Sequence, residues 1–228
     1  MRKLVLVLVA AVMLFAVASC QGEDSSANAG KLENGARSLR VAIDPGHGGI
    51  DNGAVGIDTG IAEAELNLEI SQLLAKKFML DGADVLLTRK TQEVDYSGEG
   101  NTQKRKDMNK RAELVTDQDP QVLVSIHMNK YPDRKVSGAQ VFFQKGSEEG
   151  EKLAGCIQAE LNGGLEAKDR TAKSGDYFML KVSECPSVIV ECGFLSNRDE
   201  EKKLLTPDYR EKIADCIYRG ICKYLGIE

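Results

Sequence analysis

Tryptophan is absent from the 228 residues, and phenylalanine and tyrosine number only six each. So few flat rings leave no platform on which bases could stack. Cationic excess is missing too: 30 Lys and Arg stand against 35 Asp and Glu, a formal net charge of −5. Neutralising a phosphate backbone needs a basic face, so no nucleic acid is expected as a partner. No heptad repeat persists and the 22 glycines follow no triplet period, which excludes coiled-coil and collagen-like chains. The six cysteines form no CxxC pair, and the five that follow Cys20 are an odd number, against a complete disulfide framework. Cys156, Cys216 and Cys222 fall among apolar helical positions and read as small core residues. Histidine is scarce as well, at two, His47 and His127.

What is present begins with a leader. Arg2 and Lys3 precede an unbroken apolar run from Leu4 to Ala18, the pattern of a secretory signal and short for a membrane span. Val17-Ala18-Ser19-Cys20 looks like a lipobox, in which Cys20 is lipidated and becomes the new N-terminus. Ala16-Val17-Ala18 also suits an ordinary signal peptidase, and an uncleaved run would serve as an anchor. Each reading exports the chain, and the lipid or the anchor holds it at the outer face of the cytoplasmic membrane. Residues 21–38 are small and polar without periodicity, too poor in apolar surface to offset the entropy of ordering, and read as a flexible linker. Residues 39–228 then form one domain.

Within that domain strand-like and helix-like periods alternate. Strands are expected at Leu39–Asp44, Asp84–Thr88, Gln121–His127, Val141–Phe143, Phe178–Lys181 and Ser187–Glu191. Helices are expected at Glu63–Leu80, Lys104–Val115, Glu148–Leu161 and Tyr209–Tyr224, the second as a solvated charged face. Apolar strands separated by helices imply an α/β domain with a mostly parallel sheet covered on both faces.

The groups that carry chemistry fall at strand ends. His47 follows Val41-Ala-Ile43 within Asp44-Pro-Gly-His-Gly-Gly49, and His127 closes Leu123-Val-Ser-Ile126. Glu191 ends the apolar run that starts at Pro186. Open parallel sheets bind ligands outside the carboxyl ends of their strands. A carboxylate buried there needs a cation, a metal or a catalytic role. Two imidazoles with one carboxylate form a known zinc set, in which the fourth position stays open. Glu63 and Glu65 both stand at the start of the first long helix, where acids also suit the positive helix end, and spacing alone does not choose between them. The Gly48-Gly49 pair lacks the following Lys-Ser/Thr of a phosphate-binding loop.

At these residues the sequence resembles the zinc-dependent N-acetylmuramoyl-L-alanine amidases of the amidase-3 family. The matching pieces, in family order, are Ile43-Asp-Pro-Gly-His-Gly-Gly49, Asp51-Asn-Gly-Ala54, Glu63 four residues before Asn67, Leu87-Thr-Arg89, Ser125-Ile-His127 with Asn129, and Val190-Glu-Cys-Gly-Phe-Leu-Ser-Asn197. Lys110-Arg-Ala-Glu-Leu114, Gly138-Ala-Gln140 and Gly175-Asp-Tyr177 resemble the germination-specific, spore-cortex members. The resemblance implies a three-layer αβα sandwich, one Zn²⁺ held by His47, Glu63 and His127, and Glu191 as the catalytic carboxylate. It selects Glu63 over Glu65. Peptidoglycan, cut between the lactyl group of N-acetylmuramic acid and L-alanine, is the implied substrate, in the cortex or the cell wall.

Arg89 and Asn129 are weaker candidates for contacting substrate, with a salt bridge and a turn as their structural alternatives. Asp44 and Asp51 are candidates to orient an imidazole. Met128 and Cys192, which depart from the family pattern, are placed where they would alter the shape of the site. Only ten residues separate His127 from Gly138, so no inserted helix is expected over the site, and control falls to location, timing or an activating partner protein. A zinc peptidase of the envelope and a catalytically silent wall-binding lipoprotein are the alternatives.

Overall fold

The computed structural model describes residues 38–227; the leader, Cys20 and the linker as far as residue 37 lie outside the described residues. Six strands make one sheet: β1 (Arg40–Pro45), β2 (Asp84–Leu87), β3 (Val122–Asn129), β4 (Gln140–Gln144), β5 (Lys173–Gly175) and β6 (Ser187–Phe194). Five helices accompany them: α1 (Glu63–Leu80), α2 (Gln103–Gln118), α3 (Glu148–Gly164), α4 (Arg198–Leu204) and α5 (Pro207–Leu225). The strand order is β2-β1-β3-β6-β4-β5. β2, β1, β3 and β6 run parallel, whereas β4 is antiparallel to β6 and β5 parallel to β4. The chain leaves β1 for β2 on one side and returns to β3 on the other. The carboxyl ends of β1 and β3, paired at Pro45 and Ile126, therefore form a topological switch point.

Side-chain alternation divides the sheet into two faces. On one face Val41 and Ile43 of β1, Val122, Val124, Ile126 and Met128 of β3, and Val188, Val190 and Cys192 of β6 join the core beneath α1, α3 and α5. On the other, Ala42 and Leu123 meet Val115 of α2 and Met179 in a smaller cluster. The result is helices, sheet, then α2 with a 3₁₀ turn, which is the expected three-layer sandwich. Among the described residues no helix is long and apolar enough to cross a membrane.

Helix ends follow local chemistry. Thr102 Oγ1 accepts from Arg105 N at 3.1 Å to open α2, and Asn197 Oδ1 accepts from Asp199 N and Glu200 N to open α4. Pro207 starts α5, where no backbone donor is needed, and Gly226 ends it at φ 66°.

Four expectations need correction. Phe178–Lys181 is a 3₁₀ turn and not a strand; a short apolar run fits either period. The charged helix is not simply a solvated face, because Asp107, Arg111 and Val115 recur every four residues and are buried. Met128 and Cys192 are 3% and 1% exposed in the core on the opposite face from His127 and Glu191, so they do not shape the site directly. β5 and α4 are additional elements, too short and too polar to show a period.

Candidate metal centre

The turn after β1 presents His47. Its φ of 60° is unusual for a residue with a side chain, and two guanidinium groups hold it through main-chain carbonyls. Arg111 donates to Pro45 O at 2.6 Å and His47 O at 2.6 Å. Arg89 donates to Pro45 O at 2.9 Å, Gly46 O at 3.0 Å, Ala64 O at 2.7 Å and Thr91 O at 3.0 Å. Beneath them Asp44, 2% exposed, accepts from Arg111 at 3.0 Å, Thr88 at 2.5 Å and Ser125 at 2.6 Å. Burial would raise the Asp44 pKa, but Arg111 and the two hydroxyls outweigh it and leave the carboxyl below its ordinary value.

Glu63 opens α1 and turns inward, 3% exposed. Its Oε1 lies 2.9 Å from His127 Nδ1 and 3.3 Å from His47 Nε2, and accepts from Met128 N at 3.0 Å and Asn67 Nδ2 at 3.3 Å. Its Oε2 accepts from Ala54 N at 2.6 Å. The two rings meet edge to face at 5.0 Å. His47 Nδ1 is 3.0 Å from Asp51, which Lys104 holds at 2.8 Å. An imidazole oriented from behind by a carboxylate is the usual arrangement for a metal-binding histidine. Gly46 permits this closeness, since a Cβ there would lie 2.3 Å from the His127 ring.

Burial disfavours a charge on His47, yet Glu63 and Asp51 prevail and raise its pKa. Burial opposes ionisation of Glu63 also, and the two imidazoles pull it far below the ordinary carboxylate range. Asp51 falls to about 2, held down against its partial burial by Lys104 and His47. One donor atom each from His47, Glu63 and His127 lies within 4.8 Å of the others. Atoms sharing a tetrahedral ion at roughly 2.0–2.1 Å stand about 3.4 Å apart. The observed 2.9 and 3.3 Å separations are close to that spacing, and two imidazoles with a carboxylate are a zinc donor set, so the residues present fit the ion. Glu65 is exposed and stays out of the cluster.

Glu191 stands in register with His127 across the β3–β6 pair. Its Oε2 is buried and, among the described residues, has no hydrogen-bond partner. Burial is the main cause that lifts its pKa to about 7, aided by Glu63 and opposed by the imidazoles. A nearby dication would bring it down. Such a carboxylate is placed to hold or release a proton beside the cluster.

The remaining candidates fall elsewhere. Arg89 is 6% exposed, and the carbonyls above engage four of its five N–H groups, so it fastens the loop. Asn129 ends β3, its Oδ1 accepting from Lys130 N at 2.8 Å, and lines a groove next to the cluster. Residues 130–139 form turns and bends, with no helix over the cluster. Arg111 was not singled out by sequence reasoning, although Asp107-x₃-Arg111-x₃-Val115 carried the signal of one helix face.

The family model described as N-acetylmuramoyl-L-alanine amidase matches residues 41–223. The chain belongs to the amidase-3 family. This amidase-3 chain is 38% identical over 190 residues to the germination-specific N-acetylmuramoyl-L-alanine amidase of Bacillus subtilis, covering 81% of this chain and 78% of that one. The CwlD amidase of Clostridioides difficile, solved in complex with the GerS lipoprotein, superposes with a TM-score of 0.79 at 36% identity, over 84% of this chain and all of the other. An N-acetylmuramoyl-L-alanine amidase of Clostridium difficile 630 gives a TM-score of 0.75 at 28% identity, over 84% and 98%.

Proposed function

We propose that this amidase-3 chain hydrolyses the amide between the lactyl group of N-acetylmuramic acid and L-alanine in peptidoglycan. His47, Glu63 and His127 would hold one zinc ion. The ion supplies Lewis acidity and makes water acidic enough to ionise near neutral pH. Glu191 Oε2 takes a proton from the attacking water and returns it to the departing L-alanine nitrogen. Asp51 keeps His47 Nδ1 occupied, which leaves Nε2 directed at Glu63. The observation that carries the reading is the partnerless Glu191 oxygen, one strand away from the His47–Glu63–His127 cluster.

Similarity to the germination-specific relative supports a role in the spore cortex. The lipoprotein complex of the C. difficile amidase supports an activating protein partner here also. Export by residues 1–20, lipidation at Cys20 or retention as an anchor, and a linker over 21–38 would hold the domain 39–228 at the outer face of the cytoplasmic membrane.

Mass spectrometry of peptidoglycan digested by the full chain tests the activity. Cortex and vegetative walls are each treated with and without added zinc. Intact stem peptides with a free L-alanine amino group should appear only with zinc, and His47→Ala should lose both the metal and the products. Peptides cut internally would make the chain a peptidase. Failure to release anything from either wall, with zinc bound, would mean that the chain requires its partner protein or only binds the wall.

A further inference from the structure

A groove of about 680 Å³ opens beside Glu191, large enough for several peptide residues. Tyr177 lines both this groove and the cavity that holds His47 and His127, so the two adjoin at that ring. Gln140, also on the groove wall, is the register partner of Glu191 on β4. The charge of the lining is opposite to that of the chain. Lys135, Lys168, Arg170 and Lys173 line it with Asp133 as the one acid, although the whole chain carries −5.

Arg170 differs from the three lysines because it is held in place. Its Nε donates to Ser137 O at 2.8 Å, its Nη1 is 3.5 Å from Gln140 Oε1, and the guanidinium lies 5.0 Å from the centre of the Phe194 ring. Glu200, a buried acid whose charge it feels, accepts instead from the amides of Gly138 and Phe194. Among the described residues no acceptor engages Arg170 Nη2. A fixed planar fork with free donors is suited to a carboxylate, which it binds in two parallel hydrogen bonds.

We propose that this groove receives the free carboxylates of the stem peptide, with Arg170 as the fixed anchor and Lys135, Lys168 and Lys173 as the exposed cationic rim. The inference rests on the amidase reading above and assigns the peptide side of the substrate to the β4–β5 side of Glu191. It makes the chain selective for stems whose carboxylates are free over stems in which they are amidated. Exposed lysines contribute a salt-sensitive part of the discrimination, and the anchored guanidinium contributes its fixed part.

Kinetics of the zinc-loaded full chain on a soluble muramyl peptide and its fully amidated counterpart provide the test. The KM for the free acid should be lower by about tenfold, the expectation for a charge-assisted pair. Arg170→Gln should bring the ratio of the two KM values close to one, with zinc content unchanged. Lys173→Glu, on the exposed rim, should shift the ratio the same way without disturbing a buried contact. Calorimetry of the released peptide, free or amidated, reads the groove without turnover. Equal binding of both forms by the wild type, or a preference that survives in both variants, would overturn the proposal. A preference in calorimetry that Arg170→Gln abolishes, with no cleavage by the chain alone, would support the groove separately from the amidase reading.

Discussion

Replacing Arg111 with methionine keeps most of the side-chain length and removes the charge. In the wild type this guanidinium makes five hydrogen bonds: to Asp44, to Pro45 O, to His47 O and two to Asp107. Asp44, 2% exposed, would then keep only the Ser125 and Thr88 hydroxyls. Removing one member of a buried ion pair costs about 3–5 kcal/mol, mostly because the other charge is left uncompensated. That is a large part of the roughly 5–15 kcal/mol that holds a domain folded. With a urea slope of about 2 kcal/mol per molar, the unfolding midpoint should fall by about 1.5–2.5 M. Lys152→Met, which breaks an exposed pair with Glu149, serves as a control and should leave the midpoint where it was. Folding lowers the Asp44 pKa in the wild type, so its contribution is present above about pH 4 and fades as pH falls through the folded value. In the variant burial dominates and the same carboxyl protonates at higher pH, which relieves its penalty. The gap between the two proteins should therefore narrow towards acid. Adding Asp44→Asn should restore part of the loss at neutral pH. A shift below about 1 kcal/mol for Arg111→Met, or a gap that widens in acid, would refute the account of this buried pair.

Glu191→Gln is nearly isosteric and leaves the cluster intact, so it should bind zinc normally while losing on the order of 10²–10⁴-fold in turnover; activity near wild type would exclude its proton-transfer role. Gly46→Ala would drive a Cβ to 2.3 Å from the His127 ring, and a competition titration with a chelator should show weaker zinc binding even where the variant folds. Cys192 is buried and burial raises its thiol pKa well above the ordinary value, so a thiol reagent should label it only after unfolding, unlike the half-buried Cys156 and Cys185; rapid labelling mapped to Cys192 in the native chain would mean that β6 opens.

The parts of the site that stand at strand ends were legible because strand periodicity and polarity conflict there. A histidine or glutamate that closes an apolar run conflicts with the burial around it, and His127 and Glu191 stand out as candidates on that ground. Glu63 was not separable from Glu65 by spacing, since both suit a helix start; only the resemblance chose between them, and the fold places Glu63 within the cluster and Glu65 in solvent. Arg111 was hidden because charged side chains mask a buried face: its burial depends on Asp44, 67 residues away in sequence, as well as on the neighbouring Asp107. The reversal of β4 and β5 was illegible for another reason, as three residues such as Lys173–Gly175 carry no usable period.

The two arginines grip the loop bearing His47 through the main-chain oxygens of Pro45, Gly46 and His47. Every amino acid offers that carbonyl. Ile50, three residues after His47 and 65% exposed, is thus free to vary without loosening the imidazole, whereas neither arginine is. Variation of the exposed loop surface is thereby uncoupled from the placement of the chemistry.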